Sequence, residues 1–256
     1  MIISSFIQGE EGRLIILFLA GLGAGFINVL AGGGSLLTLP ILILVGLNPV
    51  MANGTNRIGI LLENLTATHR FHQRQLIGLK QGGMLALWTL PGVLSGTLAG
   101  VYISNLWFQR ILVGVLIIGA ITLLVPNKMG AVANSRTDGQ PSPWLYPALV
   151  ALGFYGGFIQ AGIGFLFILV LRHLLIQHLP QVNAYKTLII AIYTLPALLI
   201  FAWMGEVRWE IGATIAVGGV LGAWLASKVT LDRRGELWIK IAVMVMVGAM
   251  AFKLWV

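Results

Sequence analysis

Apolar runs on the scale of a bilayer alternate with short polar connections along nearly the whole chain. A helix needs about 20 apolar residues to cross the hydrocarbon. On that scale the runs fall at 14–30, 36–47, 58–67, 84–103 and 108–125, then at 145–160, 165–176, 188–203, 211–229 and 237–254. The only linker-like stretch lies between the two sets, where Asn127, Lys128, Asn134, Ser135, Arg136, Asp138 and Pro141 cluster. The pattern predicts an all-α membrane protein of about ten segments: a first unit over 1–126, a cytoplasmic linker over 127–143 and a second unit over 144–256.

The two units resemble each other. Gly25-Phe26-Ile27-Asn28 returns as Gly157-Phe158-Ile159-Gln160, and Ala31-Gly32-Gly33-Gly34 is echoed by Ala161-Gly162-Ile163-Gly164. Val50, Ala52 and Thr55 match Val182, Ala184 and Thr187; Gly92-Val93-Leu94 matches Gly219-Val220-Leu221, and Leu106-Trp107 matches Leu237-Trp238. One such match in an apolar chain means little. Five in the same order make an internal repeat.

Charge orients the repeats. The connection after the third segment carries Arg70, Arg74 and Lys80, whereas its second-half counterpart, 204–210, has Arg208 with Glu206 and Glu210. One connection later the bias reverses, with Arg110 alone in 104–110 against Lys228, Arg233, Arg234 and Lys240 in 228–240. Lys and Arg collect in cytoplasmic loops. Equivalent loops are therefore expected on opposite sides, which makes the repeats inverted and puts both termini outside the inner membrane. Inverted repeats are the architecture of many secondary transporters, whose sites lie near the midplane at broken helices.

Composition strengthens the membrane assignment and narrows the chemistry. Hydrophobic residues make up 58% of the chain and charged residues 9%, where a soluble domain has about 25% charged. Mean hydropathy is +0.93. The 33 glycines suit helices that pack closely in lipid. The net charge of +8 sits mostly in loops, so a nucleic-acid partner is not expected. The chain has no cysteine, which removes disulfides and thiolate chemistry. Residues 1–13 carry Glu10 and Glu11 and no early basic cluster, unlike a cleavable signal peptide. His69, His72, His173 and His178 lack the carboxylate spacing of a metal motif, so no metal and no cofactor are expected. No Gly-Lys-Ser/Thr follows a Gly-rich loop, and 21–25 lacks the dinucleotide-binding spacing. No nucleophile–base pair or metal triad is visible, so an enzyme is not expected.

The candidate site is the corresponding pair of Gly-interrupted segments. Asn28 with Gly32, Gly33, Gly34 and Ser35 stands in one half; Gln160 with Gly162 and Gly164 stands in the other. A glycine run stops a helix and bares N–H groups that can face an anion. The alternative is that these glycines serve only close packing. The third segment of each half adds polar groups: Asn53, Thr55, Asn56, Arg57, Glu63 and Asn64 in the first, Asn183, Lys186 and Thr187 in the second. Asn53, Arg57 and Asn64 share a helical face. Arg57 and Lys186, near equivalent ends of related helices, would attract an anion into one cavity, or else snorkel to headgroups. Glu63, the one carboxylate well inside an apolar run, is a candidate proton carrier or the partner of a basic neighbour.

The stretch 21–56, with Asn28, Ala31-Gly32-Gly33-Gly34-Ser35, Pro40 and Ala52-Asn53-Gly54-Thr55-Asn56, resembles the TauE/SafE family of sulfite exporters. The likeness continues through 92–100 and the duplicated half. The second half departs from the family's usual Gly-Gly-Gly and proline, having Gly162-Ile163-Gly164-Phe165 instead. The resemblance implies export of sulfite, sulfonates or related sulfur-containing anions. Combined with the residue pattern, it gives a secondary transporter for a small oxyanion, working by alternating access. The substrate site then comprises Asn28, Gly32, Gly33, Gly34, Ser35, Asn53, Thr55, Asn56, Arg57, Gln160, Gly162, Gly164, Lys186 and Thr187. An anion channel, or an uptake permease for another small organic anion, is the alternative. The expected partners are the small anion and the bilayer, and a homodimer is compatible with both.

Overall fold

A computed structural model describes residues 10–124, 142–175 and 178–228. Nine helices and no strand occur among the described residues: α1 (Glu10–Ala31), α2 (Ser35–Leu44), α3 (Pro49–Gln73), α4 (Leu79–Tyr102), α5 (Asn105–Leu124), α6 (Leu145–Phe158), α7 (Ile163–Leu174), α8 (Leu179–Trp203) and α9 (Trp209–Ala226). They stand where the first nine apolar runs were expected. The tenth run, 237–254, and residues 127–141 of the expected linker lie outside the described residues. Among the described residues four helices are long and apolar enough to cross a membrane: Glu10–Leu30, Leu79–Tyr102, Leu179–Trp203 and Trp209–Ala226. Leu19, Leu87, Leu98, Leu199 and Val217 project from these helices into the surroundings. Apolar side chains turned outward in this way suit lipid rather than water.

The third segment is longer than its apolar part. Hydropathy located it at 58–67, but α3 runs for 25 residues from Pro49. Asn48 caps it by accepting from the Met51 amide at 2.8 Å, and Pro49 supplies the preset φ of a first helical turn. Asn53, Asn56, Arg57, Glu63 and Asn64 depress its hydropathy, yet all are buried against other helices. α3 is buried from Ala52 to Ile60 and further along turns Leu62 and Leu65 outward.

Glycines set how closely the helices pack. On α1, Gly21 and Gly25 lie against the backbone carbonyls of Ile215 and Gly219; Gly218 and Gly222 of α9 lie in turn against those of Phe18 and Leu22. The α4–α6 pair is built alike: Gly92 and Gly96 meet the carbonyls of Val150 and Phe154, and Gly153 and Gly157 those of Thr89 and Val93. A methyl at any of these glycines would overlap the facing backbone. The contacts correspond one for one, α1 with α6 at an offset of 132 and α4 with α9 at an offset of 126, and they make Gly218, not Gly219, the counterpart of Gly92. The sequence match of 92–94 with 219–221 is thus one residue out of register, because it aligned a Gly-Val-Leu string and not the glycine that touches the neighbouring helix.

α3 and α8 pack against each other in opposite directions. Thr68 bonds Thr187 at 3.2 Å, while Arg57 lies over the Phe201 ring at 4.7 Å. The α8–α9 turn meets the start of α3, where the Arg208 amide donates to Thr55 Oγ1 at 3.0 Å. The α3–α4 turn meets the start of α8, where the Gly78 amide donates to Tyr185 Oη at 3.3 Å. Two hydrophobic cores result. One gathers Leu17, Leu36, Phe108, Phe201 and Ile215; the other gathers Phe71, Leu85, Leu149, Phe167 and Tyr193. They meet on α3 between Ile58 and Ile60.

Candidate functional site

The two glycine turns cross in the interior, where Gly32, Gly33, Gly34 and Gly164 are buried. Gly32, at φ +82°, ends α1 in a left-handed conformation open to glycine, and Gly162, at φ +70°, does the same ahead of α7. A Cβ on Gly32 would stand 2.5 Å from the Gly164 carbonyl carbon, and one on Gly164 would enter the Gly32 backbone. Gly33 faces the Phe165 ring and Gly34 the Ala24 carbonyl, each with no room for a methyl. The Gly32 amide is already committed to the carbonyls of Ile27 and Asn28, at 3.1 and 2.9 Å. Close packing therefore accounts for Gly32, Gly33, Gly34 and Gly164. Gly162 has open space, and its need is conformational.

Helix α6 stops at Phe158 in the middle of the bundle. The last four carbonyls of a helix have no partner within it and carry the negative end of its dipole. Here all four are satisfied. Tyr155 O accepts from the Ile159 amide at 2.8 Å. Gly156 O accepts from Arg57 Nη1 at 3.2 Å, Gly157 O from Arg57 Nη2 at 2.5 Å, and Phe158 O from Asn53 Nδ2 at 2.9 Å. The helical spacing of Asn53 and Arg57 aims both at one target, the end of a helix about a hundred residues away.

Lys186 serves the end of α1 in the same manner. Its Nζ donates to Asn28 O at 3.0 Å, Val29 O at 3.4 Å and Asn183 Oδ1 at 3.1 Å. Each long helix thus sends a cation to the broken helix of the opposite half. The two cations are not equivalent in register, however: the residue matching Arg57 is Ile189, and the one matching Lys186 is Gly54. They also differ in spare capacity. An ammonium has three N–H donors, and Lys186 has used all three. A guanidinium has five. Arg57 spends two on the α6 carbonyls and a third on Gln160 Oε1 at 3.3 Å, and its Nε has no partner. Both side chains are 0% exposed, so neither snorkels to headgroups.

The two amides expected in the site diverge. Asn28 Nδ2 donates to Glu63 Oε2 at 3.0 Å, whereas Gln160 Nε2 donates to Thr194 Oγ1 at 2.8 Å. Among the described residues Glu63 has this amide partner and no salt bridge to a basic neighbour. The nearest Arg in sequence, Arg57, is committed to Gly156, Gly157 and Gln160, and Arg70 stands near the C-terminal end of α3. Asn56 accepts from Thr38 at 2.5 Å and leaves its Nδ2 unpartnered, while Asn64 turns back to Ile60 O at 2.7 Å. Thr55 receives the Arg208 amide; Thr187 donates to Ala184 O and receives Thr68. Ser35 is buried at the start of α2.

The structure therefore gathers Asn53, Arg57 and Gln160 at the end of α6, and Asn28, Glu63 and Lys186 at the end of α1. It adds Thr38, Thr194, Phe201 and Tyr193, which hydropathy hid inside apolar runs. Tyr193 is buried at 0% exposure, with its hydroxyl beside Gln160 and against Gly156. Its one sequence signal is a phenol in the middle of a lipid-length segment. Two cavities lie near this assembly. One, of about 210 Å³, is apolar and touches the second turn through Leu36, Tyr155, Ala161, Gly162 and Phe165. The other, of about 380 Å³, lies between the start of α1 and the α8–α9 turn, with Arg13, Arg208, Glu10 and Glu210 on its walls.

Comparison with known proteins agrees with the membrane assignment. The chain is 30% identical over 243 residues to a probable membrane transporter protein of Haemophilus influenzae, covering 94% of each. It is 31% identical over 243 residues to the probable membrane transporter protein YfcA of Escherichia coli K12, covering 93% of this chain and 88% of that one. A third relative, the probable membrane transporter protein ORF9 of a Sinorhizobium species, is 27% identical over 241 residues, covering 94% and 92%. No solved structure matches. Residues 17–254 match the family described as Sulfite exporter TauE/SafE, and the chain belongs to that family of membrane transporters.

Proposed function

We propose that this protein is a secondary transporter that exports a small sulfur-containing oxyanion, sulfite or a sulfonate, across the inner membrane by alternating access. The observation that carries the proposal is the surplus of Arg57: a buried cation at the meeting of two helix bodies, with donors left over after its helix-capping duties. A charge that deep costs several kcal/mol unless paired, so it marks a site facing a partner or a cargo. Once α6 is capped, the spare N–H groups of Arg57 are free for an oxyanion, for which a planar guanidinium is well shaped. Asn56 Nδ2 adds an unused donor nearby on α3. Lys186, with every donor engaged, takes the supporting part.

The exchange of helices between halves supports an inverted repeat. α1 packs on α9 and α4 on α6, with α3 and α8 antiparallel between them. Two cores that meet along α3 suit a rocking motion of one body against the other. Purified protein in liposomes tests the proposal. Vesicles preloaded with unlabelled sulfite should accumulate labelled sulfite in a saturable exchange. A current that follows the anion gradient without exchange would instead identify a channel. Absence of flux with sulfite, methanesulfonate and sulfate alike would overturn the substrate class.

A further inference from the structure

We infer that the cavity between the start of α1 and the α8–α9 turn is a lipid site, shaped for the headgroup of the aminophospholipid phosphatidylethanolamine. Its level in the membrane follows from the helices around it. Of the four described helices able to cross a bilayer, Glu10–Leu30 and Trp209–Ala226 begin at this cavity, and Leu179–Trp203 ends at the turn that walls it. Three spans that start or stop together mark the level at which the chain enters the hydrocarbon. Trp203 and Trp209, both exposed here, are the kind of side chain that collects at that level. Phospholipid headgroups fill the same layer.

The cavity also has the polarity of a lipid. Glu10 and Arg13 on α1 stand at its outer end, with Arg208 and Glu210 from the turn and the start of α9. Leu14 and Leu17 on α1 and Ile211 on α9 take over further in. Leu17 lies about 10 Å beyond Glu10 along the helix. Its volume, about 380 Å³, is in the range of sites that hold small molecules.

The four charges are two of each sign, yet among the described residues none of the four side chains forms an ion pair. Arg208 and Glu210 bond through their backbones alone. The Nε–H of Arg13 is buried and still has no acceptor. On a face turned to water, such charges are left to solvent. In the headgroup layer they meet charges of both signs. The phosphodiester of an ethanolamine lipid accepts from the guanidinium groups of Arg13 and Arg208, whose planar forks match its oxygens. Its primary ammonium donates to Glu10 and Glu210. One charge of each sign enters, so the filled cavity stays neutral. Phosphatidylglycerol would bring the anion without the ammonium, leaving both carboxylates to face a negative lipid. A choline lipid has the positive charge but no N–H to donate.

The test is native mass spectrometry of the full chain, released from micelles that hold phosphatidylethanolamine, phosphatidylcholine and phosphatidylglycerol in equal amounts. Wild type should retain the ethanolamine lipid with about a tenfold preference over each of the others. Glu10→Gln combined with Glu210→Gln should bring the ethanolamine and choline lipids level. Arg13→Gln combined with Arg208→Gln should remove the retained lipid of every class. Arg110→Gln, whose guanidinium lies over Trp107 at 5.2 Å on another helix, should change neither. Equal retention of the three lipids by wild type, or a preference for phosphatidylglycerol, would overturn the inference whether or not the variants fold. So would an ethanolamine preference that survives the paired glutamate substitutions. Soluble glycerophosphoethanolamine that displaces the lipid at equal concentration would overturn it too, because the cavity would then serve a water-borne ligand.

Discussion

Gly32 and Gly164 touch backbone to backbone, so the two broken segments of the molecule cross with nothing between them. The duplicated runs pair Gly32 with Gly162 and Gly34 with Gly164, so the contact joins different positions of two related turns. A feature recognisable as two glycine runs far apart in the chain is a single contact in space.

Gly164→Ala should therefore be severely destabilising. Its methyl would enter the Gly32 backbone, and overpacking of this kind costs about 1–3 kcal/mol or more when no side chain can yield. Gly162→Ala should cost less, on the order of 1–2 kcal/mol, since its Cβ meets only Leu36 at 3.7 Å and the penalty is left-handed backbone strain. Thermal unfolding of the purified variants orders them; equal midpoints would mean that the crossing is looser than described.

Arg57 has two jobs that different substitutions separate. Arg57→Ala strands two α6 carbonyls and removes the spare donors, so both stability and anion affinity should fall, the latter about ten- to a hundredfold. Arg57→Lys can still cap the helix with its three donors but has few left, so it should regain much of the stability and little of the affinity. Arg74→Ala, at the end of α3, should do neither. Full anion affinity in folded Arg57→Ala protein would leave Arg57 as a helix cap only.

Glu63→Gln keeps an acceptor for the Asn28 amide while removing the ionisable group. Anion binding should survive within about threefold, and flux driven by a pH gradient should be lost. Normal transport by the variant across such a gradient would assign Glu63 to holding Asn28 in place.

Topology can be tested on a chain with no native cysteine. Gln73 ends α3, while the turn holding Gly205 meets the beginning of that helix through Arg208 and Thr55. At 1.5 Å per residue these points are ~28 Å apart along the axis. Cysteines at 73 and 205 should react with an impermeant reagent from opposite sides, position 73 from the cytoplasm. Labelling of both from one side would sink the inverted arrangement.

Residues that act through local spacing were legible in the sequence. The glycine runs, the amides at Asn28 and Gln160, and the shared face of Asn53 and Arg57 are all periodic or repeated features. Partners were not legible. Nothing along the chain says that Arg57 caps Gly156 and Gly157, or that Glu63 meets Asn28 and not a base, because those pairings depend on which helices cross. Hydropathy also misled where polar groups are wrapped by protein. It shortened α3 at Pro49, and it concealed Tyr193, whose hydroxyl counts for little in a window average and for much in a dry interior.

The helix exchange also sets the order of biogenesis. α1 is made well before the surface that receives its glycines, on α9, and the cation that caps its end comes from α8. During synthesis α1 must wait in the bilayer with uncapped carbonyls and an unfilled glycine face. α6, by contrast, finds α3 and α4 already inserted. Contacts this distant in sequence make assembly slow and leave early segments exposed. The first half expressed alone should be held by insertion chaperones or degraded, and coexpression of the second half should rescue it.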